Sequence, residues 1–286
     1  METVRPLNAA ERTARARATG GQPITDFDQR IPYDAYVRTD VLHSLQRTVT
    51  DDPGEMSFLM ITQVMELYFK LIAFELRGAQ ELLRADRVWE AISPLSRTAL
   101  HLEGLNGSWR GLRWMTPADF NRFRDQLGEA SGLQSGMYRQ VEFLLGLKNP
   151  ALLRPFKSRS AELRRAFDGP SVWDDAVAAL ARRGHDLPQE LLVRDFSIEH
   201  EPHEAVERAW VEVYRDTSPG NDLRRLGEAL TDVAEAFGEW RRQHVAAVRR
   251  SMGHKPGSGG SNGLAWLERS MARVVFPELW SARTHM

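Results

Sequence analysis

Three side chains sit where their types could do chemistry: a histidine on an apolar stripe, an arginine on an apolar face and a threonine inside an apolar helix. His244 keeps helical register with Val233, Phe237, Trp240, Ala247 and Val248, at spacings of three and four. Two readings stand for it. It is a core imidazole bonded to a carbonyl, or a neutral imidazole that holds a haem iron as its single protein ligand. No other histidine lies at metal-binding spacing. Pro202 interrupts His200-Glu201-Pro202-His203, which weakens a non-haem site of two histidines and a carboxylate.

Arg124 shares the face marked by Phe120, Phe123 and Leu127, while Arg122 and Asp125 are better placed for solvent. A guanidinium keeps its charge, so one held among apolar residues needs an anion. The anion is internal, with Glu66 the candidate, or it is a substrate carboxylate gripped by the two-pronged fork. Thr62 shares a stripe with Phe58. A mid-helix threonine ordinarily bonds back to the preceding turn; the alternative is that it faces a ligand. The Gly257–Gly263 loop lacks the lysine and Ser/Thr of a phosphate-binding loop and follows no strand, so a mobile lid over a pocket fits it better. Tyr33 and Tyr36, three apart, belong to a core or to a pocket wall.

The elements that must position these groups read as helices throughout. The run from Phe58 to Leu76 is apolar almost all the way round, yet holds Glu66 and Lys70 one turn apart in the favourable order. A helix apolar on every side is expected to be buried. Helices are expected over about 40–46, 55–83, 87–109, 134–147, 221–252 and 264–275. Thr116-Pro117-Ala118-Asp119 is a helix start, with Met115 and Phe120 placed for a hydrophobic staple. Residues 1–25 show no periodicity and are expected to be a flexible arm. Residues 26–286 read as one all-α domain, with 150–225 as an insertion of short, proline-punctuated helices. Phe276-Pro277 is expected to end the last helix.

Composition narrows the function classes. The chain has 286 residues, 42% hydrophobic and 27% charged, with net charge −1. That is enough for a substantial core, and no field favours nucleic acid or an anionic membrane. Without cysteine there are no disulfides, thiolate ligands, iron–sulfur clusters or thioether-attached haem. No apolar stretch stays charge-free for the roughly 18 residues a membrane span needs, and the N-terminal segment lacks a signal core. The expectation is a soluble cytoplasmic protein with a small-molecule ligand.

The chain resembles the tryptophan 2,3-dioxygenase family over roughly residues 30–283. The resemblance is carried by Pro32-Tyr33-Asp34-Ala35-Tyr36, Phe58 through Glu66-Leu67-Tyr68-Phe69-Lys70, Leu105 to Trp109, Thr116-Pro117 with Phe123-Arg124-Asp125, and Ser131-Gly132-Leu133-Gln134-Ser135 with Tyr138-Arg139. It continues through Phe143 to Gly146, Trp240 with His244, Lys255 to Gly263, and Phe276 to Leu279. The resemblance implies an all-α homotetramer. It further implies haem b as cofactor, dioxygen as co-substrate and insertion of both oxygen atoms across the indole C2–C3 bond to give N-formylkynurenine. It makes His244 the iron ligand, places Trp109 and Gly132 at the cofactor, and makes Arg124 the carboxylate clamp. Phe58 and Phe120 become pocket residues, Ser258 a contact for the substrate's ammonium and carboxylate, and Tyr33, Tyr36 and Val37 contributors to a neighbouring subunit's pocket.

The sequence departs from the family pattern at several of these positions. Thr62 stands where the family has a histidine that bonds the indole N–H. A threonine cannot serve as a base near neutral pH, but its hydroxyl can accept that hydrogen bond. The related indoleamine dioxygenases have a serine there. Phe120 replaces a tyrosine, Ser258 a threonine and Val37 a larger aliphatic residue. These changes leave monooxygenation of a substituted indole or another aromatic as the alternative outcome.

Overall fold

The computed structural model describes residues 5–27, 31–156 and 160–286. The chain divides into two compact units, Met1–Thr48 and Val49–Met286. The division therefore falls later than the expected end of the arm near residue 25. Among the described residues every regular element is helical, as the periodicity predicts.

The first unit holds α1 (Ala9–Ala18), α2 (Pro32–Val37) and α3 (Thr39–Leu42). Helix α1 occupies a stretch expected to lack regular structure. Asn8 and Glu11 close a capping box at its start, and the segment is rich in alanine and arginine, both good helix formers. None of its residues is buried, so it carries no apolar stripe for periodicity to detect. Arg38, at φ 59°, separates α2 from α3, and the Thr39 hydroxyl donates to the Asp34 carboxylate across the break.

The second unit is built on three long helices. Helix α4 (Pro53–Arg84) starts with Pro53 in its first turn and Asp52 as its cap. A short turn through Asp86, at φ 55°, leads into α5 (Val88–Ser108). The chain continues through α6 (Pro117–Asn121), α7 (Gly136–Leu144), α8 (Pro150–Leu153), α9 (Ala161–Asp168), α10 (Val172–Arg182), α11 (Gln189–Leu192) and α12 (Glu204–Arg215). It ends with α13 (Asp222–Ser251), α14 (Leu264–Met271) and α15 (Pro277–Ala282). Helix α5 packs against both α4 and α13, and α7 and α10 pack on α4. Phe69, Ile72 and Leu76 of α4 meet Leu95, Leu102 and Leu105 of α5 and Leu226, Val233 and Phe237 of α13 in one core.

Four details differ from the sequence expectation. First, α4 is buried along one face only. Met65, Phe69, Ile72 and Leu76 are inside, whereas Met60, Val64, Leu67, Leu71 and Phe74 are exposed. An all-round apolar helix needs two covers, and this chain supplies one. Glu66 is half-buried and Lys70 exposed, so the charged pair is not interior. By length and composition alone α4 could cross a membrane; its packing against α5, α7 and α10 accounts for its buried face.

Second, residues 150–225, read as an insertion of short helices, contribute side chains to the main core. Val172, Trp173 and Val177 of α10 and Val206 and Trp210 of α12 are all buried there. Asp175 of α10 accepts from Gln80 at 2.7 Å and from Arg84 at 2.8 Å, which ties α10 to α4. Third, the helix begun at Thr116 closes its capping box with Asp119 as expected but stops after Asn121; a 3-10 turn over Arg124–Leu127 follows. Fourth, the helix expected to end at Phe276-Pro277 stops at Met271, and Phe276-Pro277 starts a new one. Phe276, at φ 52°, reverses the chain and Pro277 opens α15.

Candidate functional site

Helix α13 carries His244 to one side of an aromatic cluster. The ring of Trp109, in a 3-10 turn (Trp109–Leu112) that continues α5, stacks on the imidazole with centroids 5.2 Å apart and planes 18° from parallel. Trp240, one turn earlier on α13, lies 5.2 Å from His244 and 5.7 Å from Trp109. His244 keeps some exposed surface, yet desolvation by its neighbours dominates its ionisation. Burial, then the positive charge of Arg139, pushes its pKa down to about 4. The imidazole is thus neutral at neutral pH, the form that ligates metal. The indole nitrogens of Trp109 and Trp240 are buried without hydrogen-bond partners.

The donor set decides which metal group fits. Among the described residues no three His, Asp or Glu side chains converge on a point. One neutral imidazole beside flat aromatic rings suits a macrocycle that brings its own equatorial nitrogens, so the residues present fit haem. His200 and His203 are engaged elsewhere. His200 stacks on Trp173 at 4.0 Å, and His203 caps α12 by accepting from the Ala205 N–H.

A second aromatic group packs against Leu112 at the end of the Trp109–Leu112 3-10 turn. Phe58 of α4 lies 5.7 Å from Phe120 and 5.6 Å from Phe123, and Met115, Leu112, Leu127 and Met252 complete the cluster. Met115 and Phe120 are both buried, as a staple requires. Leu112 packs against this cluster and against the main core, linking the two groups. Gly111 sits so close to α4 that a Cβ there would come within 2.8 Å of Ile61 Cδ1. Ile61 is the chain neighbour of Thr62. Thr62 is exposed, and its hydroxyl donates to the Phe58 carbonyl at 2.8 Å. The back-bonded reading therefore holds for its proton, while its lone pairs are left to accept.

Arg124 is half-buried, not enclosed, and its partner is not Glu66: its Nη2 donates to the Pro256 carbonyl in the glycine-rich loop. The same loop is held by Lys255 Nζ donating to Asn121 Oδ1 at 3.1 Å and by Ser258 Oγ donating to the Ala130 carbonyl at 2.7 Å. Gly259 lies against Ser131, where a Cβ would meet the serine Oγ at 2.9 Å. Gly263 takes φ 53° and closes the loop onto the Lys255 carbonyl. Arg124 and Ser258 are thus joined by one segment, which covers the turn through Ser131 and Gly132. Gly132 itself opens a 3-10 turn, and an added Cβ would meet nothing within 4 Å. Tyr33, Tyr36 and Val37 lie in the first unit with 67%, 79% and 36% of their surface exposed.

Sequence reasoning named Arg139 only within the resemblance and did not read its buried pairing with Glu142. Every residue of α7 from Tyr138 to Leu144 is buried, so its polar residues mark no solvent face. Leu112 and the Ser131 contact with Gly259 were also not singled out; each depends on packing between segments distant in sequence.

The family model for tryptophan 2,3-dioxygenase matches residues 19–162 and 151–286. A tryptophan 2,3-dioxygenase of Polaromonas sp. is 39% identical over 264 residues, covering 91% of this chain and 90% of the relative. Those of Bordetella parapertussis and Bacillus thuringiensis are 39% and 38% identical, covering 91% and 92% of this chain and 93% and 95% of their own lengths.

Proposed function

The chain belongs to the tryptophan 2,3-dioxygenase family, and we propose that it is a haem-dependent dioxygenase that opens the indole ring of L-tryptophan to N-formylkynurenine. The observation that carries this reading is the neutral His244 stacked on Trp109. His244 would hold the haem iron, and Trp109 and the Gly132 turn would flank the cofactor. Bound haem supplies the activation of dioxygen; the chain's residues do the rest.

Phe58, Phe120 and Phe123 offer the indole an apolar wall. Thr62 accepts a hydrogen bond from the indole N–H, since its own proton is committed to the Phe58 carbonyl. It orients the ring and takes no proton. Arg124 exchanges the Pro256 carbonyl for the substrate carboxylate, a stronger acceptor. Ser258 lies in the same loop and turns from the Ala130 carbonyl to the substrate's ammonium and carboxylate groups. Fixing both ends of the amino acid places the indole C2–C3 bond at the reacting position, and such positioning accounts for a large share of rate enhancement.

We also propose a homotetramer bound through the exposed apolar face of α4. The exposed run Met60, Val64, Leu67, Leu71 and Phe74 on α4 supports it, because contiguous apolar surface of this kind marks an interface. In that assembly Tyr33, Tyr36 and Val37 would serve a neighbouring subunit's pocket. The test of function is anaerobic loading with L-tryptophan followed by oxygen, with products read by mass and absorbance. Gain of two oxygen atoms with N-formylkynurenine absorbance is expected; gain of one atom, or no turnover, would sink the dioxygenase reading. The relatives are dioxygenases by name, so one-atom insertion is not favoured.

A further inference from the structure

The mechanism above leaves unused a group of three charges sealed inside the core beside His244. Arg139 and Glu142 lie on α7 with 2% and 0% of their side chains exposed, and Arg139 Nη1 donates to the Glu142 carboxylate. Arg241 on α13, 4% exposed, approaches Glu142 at 3.6 Å. Its other bonds go to uncharged acceptors, the Arg273 carbonyl at 2.7 Å and Ser270 Oγ at 3.1 Å. Two cations thus share one carboxylate, and among the described residues no second carboxylate pairs with them. The pairing is incomplete as well: Arg139 Nε, Arg241 Nε and Glu142 Oε1 are buried without hydrogen-bond partners.

The triad abuts the His244 cluster by two routes. Arg241 precedes His244 by three residues, less than one turn of the same helix. The Arg139 guanidinium sits 4.6 Å from the Tyr138 ring, Tyr138 lies tilted against Trp240 with centroids 4.7 Å apart, and Trp240 contacts His244 at 5.2 Å. Tyr138 and Trp240 are buried, so charge is poorly screened between the triad and the imidazole.

We propose that the Arg139–Glu142–Arg241 triad is an electrostatic positioning element for the iron site, whose net positive charge favours the ferrous over the ferric state. This rests on the reading that His244 holds haem. Ferric haem carries one more positive charge than ferrous haem, so a fixed buried cation disfavours the oxidised form and raises the reduction potential. Iron kept reduced is iron able to take up dioxygen. The two charge signs make the role separable from packing, because removing a cation and removing the anion must act in opposite directions.

The test is a one-electron midpoint titration of the haem-loaded protein against soluble mediators, with the ligation spectrum recorded in each variant. R139Q is expected to lower the potential, and R139K to leave it near that of the unmodified protein. E142Q buries two unpaired cations and is the variant most prone to unfold. The double variant R139Q/E142Q therefore carries the decisive arm: it removes one charge of each sign and is expected to return the potential toward the starting value. A double variant shifted further down than R139Q, or no shift in R139Q with the histidine-ligated spectrum intact, would overturn the proposal. Full haem retention in H244A would instead overturn the ligand reading and, with it, the basis of the proposal.

Discussion

At the scale of single residues, the candidate site is made of groups that bind and orient rather than groups that move protons. Arg124 is half-buried and meets a neutral carbonyl. Arg124→Ala should therefore raise KM for tryptophan by about 1.5–3 kcal/mol, the range for a hydrogen bond to a charged group. Steady-state kinetics checks this, and an unchanged KM would mean that the substrate carboxylate binds elsewhere. Thr62→Val keeps the shape and loses the acceptor. It should cost roughly 0.5–1.5 kcal/mol in kcat/KM for tryptophan and nothing for N1-methyltryptophan, which has no N–H to donate. Equal losses for both substrates would assign Thr62 to packing. His244→Ala should lose most of the bound haem, read from absorbance after desalting.

At the scale of elements, the glycine loop and the long helices tell different stories about what a sequence reveals. Helices α4, α5 and α13 appear within a few residues of their expected bounds because each carries a buried stripe at helical spacing. Helix α1 was invisible because it buries nothing. Helix α15 was hidden because the Phe276-Pro277 pair reads equally as a stop and as a start. Type and register singled out His244 and Arg124 with two readings each, whereas Trp109 and Phe58 came to the site only through the family resemblance. The loop's hold on Arg124 was not legible, since a bond from Arg124 to a main-chain carbonyl 132 positions away leaves no mark on side-chain identity. Its glycines do carry a prediction. Gly259→Ala would force a Cβ to within 2.9 Å of Ser131 Oγ, so the loop must lift away from the turn that it covers. KM should rise while thermal stability moves by less than about 1 kcal/mol, as expected for an exposed loop. A fall in stability with unchanged KM would show that the loop has no part in binding.

At the scale of the whole molecule, acid acts on groups the fold keeps neutral. His200 is wedged between Trp173, at 4.0 Å, and Gly146, whose Cβ would meet the His200 ring at 2.9 Å. Its Nδ1 has no partner. Burial first, opposed by Asp174 and reinforced by Arg194 and Lys148, pushes its pKa from 6.5 down to about 4. The sign follows from proton counts. Between those two values the unfolded chain binds the proton and the folded chain does not, so stability is whole above pH 6.5 and is lost as pH falls toward 4. A shift of this size corresponds to about 3 kcal/mol once both forms are protonated. In the haem-free chain His244, also held at about 4, adds a loss of the same sign and window. Denaturant unfolding at a series of pH values should therefore show ΔG declining through this window, and His200→Gln should flatten the decline while lowering stability near neutrality through the lost stack on Trp173. The variant and the unmodified chain should converge as the pH approaches 4. Parallel curves across the window would mean that His200 titrates normally and that its ring is solvated in the folded state.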